Sequence, residues 1–140
     1  MDLLTRLPMP ASLLYCVVIG AILIYVPFLV VGIARYQVGY DQSAPRALFE
    51  KFPAYAQRAT WAHQNAFEAF ILFAPAALMA YVTGQDSAWA LGAAIAHVIA
   101  RFFYSVFYIL NLPPLRSLMF AIGGLGTFTL FFLSCRSAVM

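Results

Sequence analysis

Two stretches of this 140-residue chain carry no charged side chain, Leu13 to Ala34 for 22 residues and Ser117 to Cys135 for 19. A helix rises about 1.5 Å per residue, so each stretch can cross a hydrocarbon core of roughly 30 Å. In water both would need covering on every side, and a single domain of this length lacks the interior for that. Composition closes off the alternatives: 64% of residues are hydrophobic, 9% are charged and mean hydropathy is +0.87. A soluble domain carries about 25% charged residues. A soluble enzyme, a disordered chain and a disulfide scaffold are therefore excluded. The net charge of +3 comes from eight scattered Lys and Arg with no basic stripe, which argues against nucleic acid as a partner. The chain is an integral membrane protein.

Two further apolar stretches are interrupted by polar residues. The reading is one transmembrane domain, 1–140, an all-α four-helix bundle with spans near 12–34, 55–82, 88–111 and 115–135. Thr83-Gly84-Gln85-Asp86-Ser87 reads as a tight turn ending in a helix N-cap, and Asn111-Leu112-Pro113-Pro114 ends the third helix and starts the fourth. Arg35, Arg46, Lys51, Arg58 and Arg116 gather at one membrane face, against Arg6 and Arg136 at the other. The long first loop is thus expected on the cytoplasmic side, with both termini opposite and the first helix retained.

Polar residues inside spans are costly, so they are the informative ones. The second span holds Arg58, His63, Asn65 and Glu68, and the third holds His97, Arg101, Tyr104 and Tyr108. At about 100° per residue the latter four fall within about 60° of one another, and Arg58, Asn65 and Glu68 share a face that His63 does not. Asn65 and Arg101 lie at matching depth, roughly 15 Å in, with Glu68 at roughly 20 Å. A Glu68–Arg101 pair is the expected contact, because neither charge is tolerable alone against lipid. A structural ion pair accounts for part of this set. The excess of donors, Arg58, Arg101, Arg116, two tyrosines and an asparagine, suits an anionic polar ligand.

His63 and His97 lack metal spacing and read as hydrogen-bonded packing residues. Cys16 and Cys135 admit a disulfide or a reactive thiol, but read more simply as small apolar residues. Gly92, Ala96 and Ala100, the alanines Ala59, Ala62, Ala66 and Ala69, and the Gly123-Gly124-Leu125-Gly126 run stand at helix-packing spacing. Trp61, Trp89, Tyr36 and Tyr40 suit interfacial aromatic belts. Pro27 and Pro75 are expected to kink their helices.

The stretch Arg58-Ala59-Thr60-Trp61-Ala62-His63-Gln64-Asn65-Ala66-Phe67-Glu68 resembles the second-helix signature of the MAPEG family, the membrane-associated proteins in eicosanoid and glutathione metabolism. Its core, Ala-x-x-Asn-x-x-Glu, is here Ala62, Asn65 and Glu68. Arg101 to Tyr108 resembles the family's third-helix Arg/Tyr motif, and Pro114-Leu115-Arg116 resembles the start of its fourth helix. The resemblance implies a homotrimer that binds glutathione as co-substrate between subunits near the cytoplasmic side, with the lipophilic substrate arriving from the membrane lipid. Arg116 would stabilise the glutathione thiolate. Asn65, Glu68, Arg101, Tyr104 and Tyr108 would contact glutathione, with Arg35 a looser member. Glutathione-using members commonly carry Arg immediately before the alanine of the signature. Trp61 stands there in this chain, and Arg58, one turn earlier, is the available substitute.

Three functions follow from these readings. The first is a glutathione-dependent transferase or peroxidase acting on lipophilic electrophiles or hydroperoxides. The second is a non-catalytic relative that binds lipid or serves as an accessory subunit. A small channel or transporter subunit is the third, and the lack of inverted repeats argues against it.

Overall fold

The computed structural model describes residues 9–140. Four long helices dominate it: α1 (Met9–Gln37), α2 (Ala54–Val82), α3 (Ala88–Ile109) and α4 (Pro113–Val139). All four are long and apolar enough to span a bilayer. The fold is all-α, with no strand among the described residues. Arg6, one of the two basic residues assigned to the opposite face, lies outside the described residues.

Local chemistry explains where the helices begin and end. Thr83 and Gly84 close α2, with Gly84 at φ +66° in the left-handed conformation a side chain disfavours. Ser87 then caps α3 by accepting a hydrogen bond from the Ala90 amide at 3.2 Å. Buried Gln85 ties this turn to the end of α4 through the Leu133 carbonyl (3.2 Å) and the Ser137 hydroxyl. At the other end Asn111 turns the chain at φ +58°, and Pro113 and Pro114 open α4, where a missing N–H costs nothing. The first helix extends to Gln37, past the expected Ala34, so Arg35 sits in its last turn. Proline interrupts neither α1 at Pro27 nor α2 at Pro75.

The connection between α1 and α2 holds an element the sequence did not announce, a 3-10 helix over Pro45–Lys51. Leu48 and Phe52 are buried there with Val31, Ala34, Ala56 and Ala59, and Gln57 donates to the Phe52 carbonyl at 3.2 Å. The loop is folded onto the bundle rather than strung across it.

Small residues face inward and large ones outward. Ala56, Ala59, Ala62, Ala66, Ala76, Ala77 and Ala80 supply nearly all of the buried face of α2, while Leu29, Val82, Leu125 and Phe128 point out. Lipid is as apolar as leucine, so helices associate by close backbone approach rather than by hiding bulk. On α3 the packed stripe is Ala90, Ala94, His97 and Ala100; Gly92, expected in that role, faces open space. The closest approach is between α3 and α4. A Cβ on Gly126 would lie 2.5 Å from the Ala93 carbonyl oxygen, and one on Gly123 would lie 3.4 Å from Arg101 Cδ.

Both histidines are packing residues. His97 stacks flat on Phe73 with ring centroids 3.8 Å apart. Its Nδ1–H points to the Gly123 carbonyl at 2.9 Å and lies 3.0 Å from Thr127 Oγ1. His63 donates from Nδ1 to the Ile24 carbonyl at 2.7 Å, bracing α1 one turn before Pro27. Cys16 is buried, Cys135 is exposed and both are free thiols.

Gly126→Val should force α3 and α4 apart and destabilise the protein by about 1–3 kcal/mol. Gly124, with nothing within 4 Å of its missing Cβ, is the matched control. Thermal unfolding in detergent should show a clear loss for Gly126→Val and little for Gly124→Val; equal losses would refute the packing assignment.

Candidate functional site

The in-span polar residues of α2 and α3 meet. Arg101 Nη2 donates to Asn65 Oδ1 at 2.8 Å, and Asn65 Nδ2 donates to Glu68 Oε2 at 3.0 Å. The depth match between Asn65 and Arg101 is thus realised as a hydrogen bond. The expected direct Glu68–Arg101 pair is replaced by a relay, because Asn65 lies between the two groups on the α2 face and its amide satisfies both. Arg101 is 7% exposed, whereas Glu68 is exposed. The relay therefore runs from a buried cation to a carboxylate on the outer surface of the chain.

Tyrosines extend the relay toward the loop end of the bundle. The Arg101 guanidinium sits 4.0 Å from the Tyr104 ring centre, and Tyr104 meets Tyr108 edge-on at 5.6 Å. Arg116, in the first turn of α4, lies 4.6 Å over the Tyr108 ring. Each guanidinium rests on an aromatic face, an attraction that orients the cation while leaving its N–H groups able to bind an anion. The helical stripe on α3 and the early position of Arg116 on α4 bring these groups to one place. Asn65, Glu68, Arg101, Tyr104, Tyr108 and Arg116 form one continuous cluster.

Two of the expected residues are engaged elsewhere. Arg58 donates from Nε to the Ile109 carbonyl at 3.0 Å, satisfying a carbonyl in the last turn of α3 beside the cluster. Arg35 does not join the cluster within the chain. It lies over Phe28 at 5.3 Å and lines a cavity between α1, the 3-10 helix and α2.

Sequence reasoning missed that cavity, of about 740 Å³, together with Arg46 on its wall. The available signal was the run of apolar residues Leu48, Phe49 and Phe52 inside an otherwise polar loop. Trp61 is more than a belt residue. Its indole packs against Phe49 at 5.7 Å and against Tyr108 at 6.5 Å, so it stands between cavity and cluster. Trp89, Tyr36 and Tyr40 are exposed, as belt residues are.

The fold and site define a class: a four-helix membrane protein with an arginine- and tyrosine-rich cluster at one end of the bundle. Comparison with known protein families matches residues 12–136 to the MAPEG family, and the chain belongs to it. Searches of curated proteins and of solved structures found no match. Family membership carries a membrane role of the glutathione-transferase or eicosanoid type at family level.

A double-mutant cycle tests the relay. Asn65→Leu leaves the buried guanidinium of Arg101 without its amide partner, so the losses from Asn65→Leu and Arg101→Leu, added together, should exceed the loss in the double variant. The expected coupling is about 1 kcal/mol, the scale of hydrogen bonds between membrane helices. Additive losses in detergent unfolding would mean the contact is not formed.

Proposed function

We propose that this protein is a membrane glutathione-dependent transferase or peroxidase acting on lipophilic electrophiles or hydroperoxides. The observation that carries the reading is the relay Arg101–Asn65–Glu68, continued by Tyr104, Tyr108 and Arg116. Glutathione has two carboxylates and one ammonium, so a matching site needs several guanidinium and hydroxyl donors and one carboxylate. The cluster supplies donors of both kinds, and Glu68 supplies the acceptor.

Each residue has a role in this reading. Arg101 and Asn65 hold a glutathione carboxylate, Glu68 holds its ammonium, and Tyr104 and Tyr108 line the peptide. Glutathione brings the thiol nucleophile. Arg116 faces that thiol, and its positive charge favours the thiolate at neutral pH. Its place in the first turn of α4 adds the positive end of a helix dipole. Arg58 contributes charge beside the cluster, and Arg35 would reach the ligand from an adjacent subunit.

Exposed Glu68 supports an intersubunit site. It lies roughly 20 Å along α2 from the loop end, a depth at which a carboxylate against lipid is expensive. A homotrimer covers that face with protein and places glutathione between subunits. The long first loop lies on the cytoplasmic side in this arrangement, with the termini opposite.

Trp61 favours a second reading, a lipid-binding or accessory protein without catalysis. Its indole occupies the place beside Tyr108 where a cation would strengthen anion binding.

Purified protein in detergent should develop thiolate ultraviolet absorbance on adding glutathione. Arg116→Ala should abolish that signal while retaining most binding. Asn65→Ala should weaken binding by roughly tenfold or more, as loss of a hydrogen bond to a charged group implies. Absence of glutathione binding, with no turnover across a broad electrophile panel, would decide for the second reading.

A further inference from the structure

On the α1 side of Arg101, a small cavity of about 10 Å³ lies between α1, α2 and α3. That is room for a single water molecule. Arg101 and His97 line it from α3, Gly20 and Leu23 from α1, and Ala66 and Phe70 from α2.

Three polar groups on these walls have bonding capacity left over. The first is the Leu23 carbonyl. Pro27 stands four residues further on and has no N–H, so this carbonyl loses the donor that an unbroken helix supplies. Pro27 is fully buried, which puts the freed oxygen on the inner side of α1. The second is the Arg101 guanidinium, which has five N–H donors and gives one, from Nη2, to Asn65. The third is the His97 ring. Its contacts to Gly123 and Thr127 both use Nδ1, and with the proton on Nδ1 the other nitrogen, Nε2, is an acceptor.

A polar group buried without a partner is costly, and lipid supplies none. One water molecule answers all three groups. It accepts from Arg101 and donates to the Leu23 carbonyl and to His97 Nε2, the usual complement of about three bonds for a buried water. A cation would be repelled by Arg101, an anion by the two lone pairs, and the volume admits nothing larger.

We propose that this cavity is an internal water site that ties the Arg101 guanidinium to the α1 carbonyl freed by Pro27. Pro27 is then a positioning residue. Through the water it sets from α1 the same guanidinium that Asn65 sets from α2. The site does not rest on the glutathione reading: it shares Arg101 with the relay but needs only the burial of that side chain among three helices.

Solid-state NMR on the full-length protein in lipid bilayers, with histidine and arginine isotope-labelled and no glutathione added, reads the site directly. Magnetisation should pass from water to both the Arg101 guanidinium and His97 Nε2. Gly20→Ala puts a Cβ on the cavity wall 3.3 Å from the Phe70 ring, and the transfer to His97 should be lost. Pro27→Ala returns an N–H to the Leu23 carbonyl and should also lose it. Gly32→Ala, on the same helix with nothing within 4 Å of the added Cβ, should leave it unchanged. Alanine is the better helix former, so the Pro27 variant keeps the test valid where Gly20→Ala impairs folding. Transfer to Arg101 without transfer to His97 would mean that water arrives only from the Glu68 side, and would overturn the proposal. Transfer to His97 that survives Pro27→Ala would overturn it as well.

Discussion

A guanidinium buried among membrane helices must be satisfied by protein, because lipid offers it nothing. Arg101 meets that demand through one carboxamide, and the rest of the cluster is arranged around the solution. Among the described residues Asn65 is the one that hydrogen-bonds both charged groups, accepting from Arg101 and donating to Glu68. An asparagine can do this because its side chain is donor and acceptor at once. A second carboxylate there would accept from the arginine but repel Glu68. A leucine would strand both charges. The arrangement leaves Glu68 exposed, with only one of its two carboxylate oxygens engaged by Asn65.

The same close packing that holds the bundle also aims Arg101. Its Cδ passes 3.4 Å from where a Cβ of Gly123 would sit, van der Waals contact distance, so only a small residue fits beside the arginine there. His97, one turn earlier on α3, holds the Gly123 carbonyl and lies flat on Phe73 of α2. Three helices are thus clamped at one level, just below the relay. In a soluble protein a wide apolar core would do this work. Here small residues and a few interhelical hydrogen bonds do it, because the hydrophobic effect does not distinguish a helix neighbour from an acyl chain.

Much of this was legible from residue order, and the reasons are physical. Span lengths follow from bilayer thickness, the Ser87 cap and the two prolines mark helix starts, and a 3.6-residue period puts His97, Arg101, Tyr104 and Tyr108 on one stripe. Depth matching across antiparallel helices identified Asn65 opposite Arg101. What failed to show was anything decided by rotamer choice or by the loop. Whether Glu68 reaches Arg101 directly or through Asn65 depends on side-chain torsions that periodicity does not encode. The engagement of Arg58 by the Ile109 carbonyl depends on where α3 ends, a boundary sequence patterns locate poorly. The cavity needed the fold of Pro45–Lys51, whose burial comes from Leu48 and Phe52 meeting α1 and α2.

Trp61 joins the two halves of this picture. It sits about one helical turn before Asn65, with the 3-10 helix on one side through Phe49 and α3 on the other through Tyr108. An arginine at this place would add a third cation beside Arg101 and Arg116, raising the anion affinity of the cluster and the repulsion within it. An indole lowers both and substitutes aromatic contact for charge. It also links the loop and the cluster by contact, from Phe49 through Trp61 to the Tyr108 ring beneath Arg116.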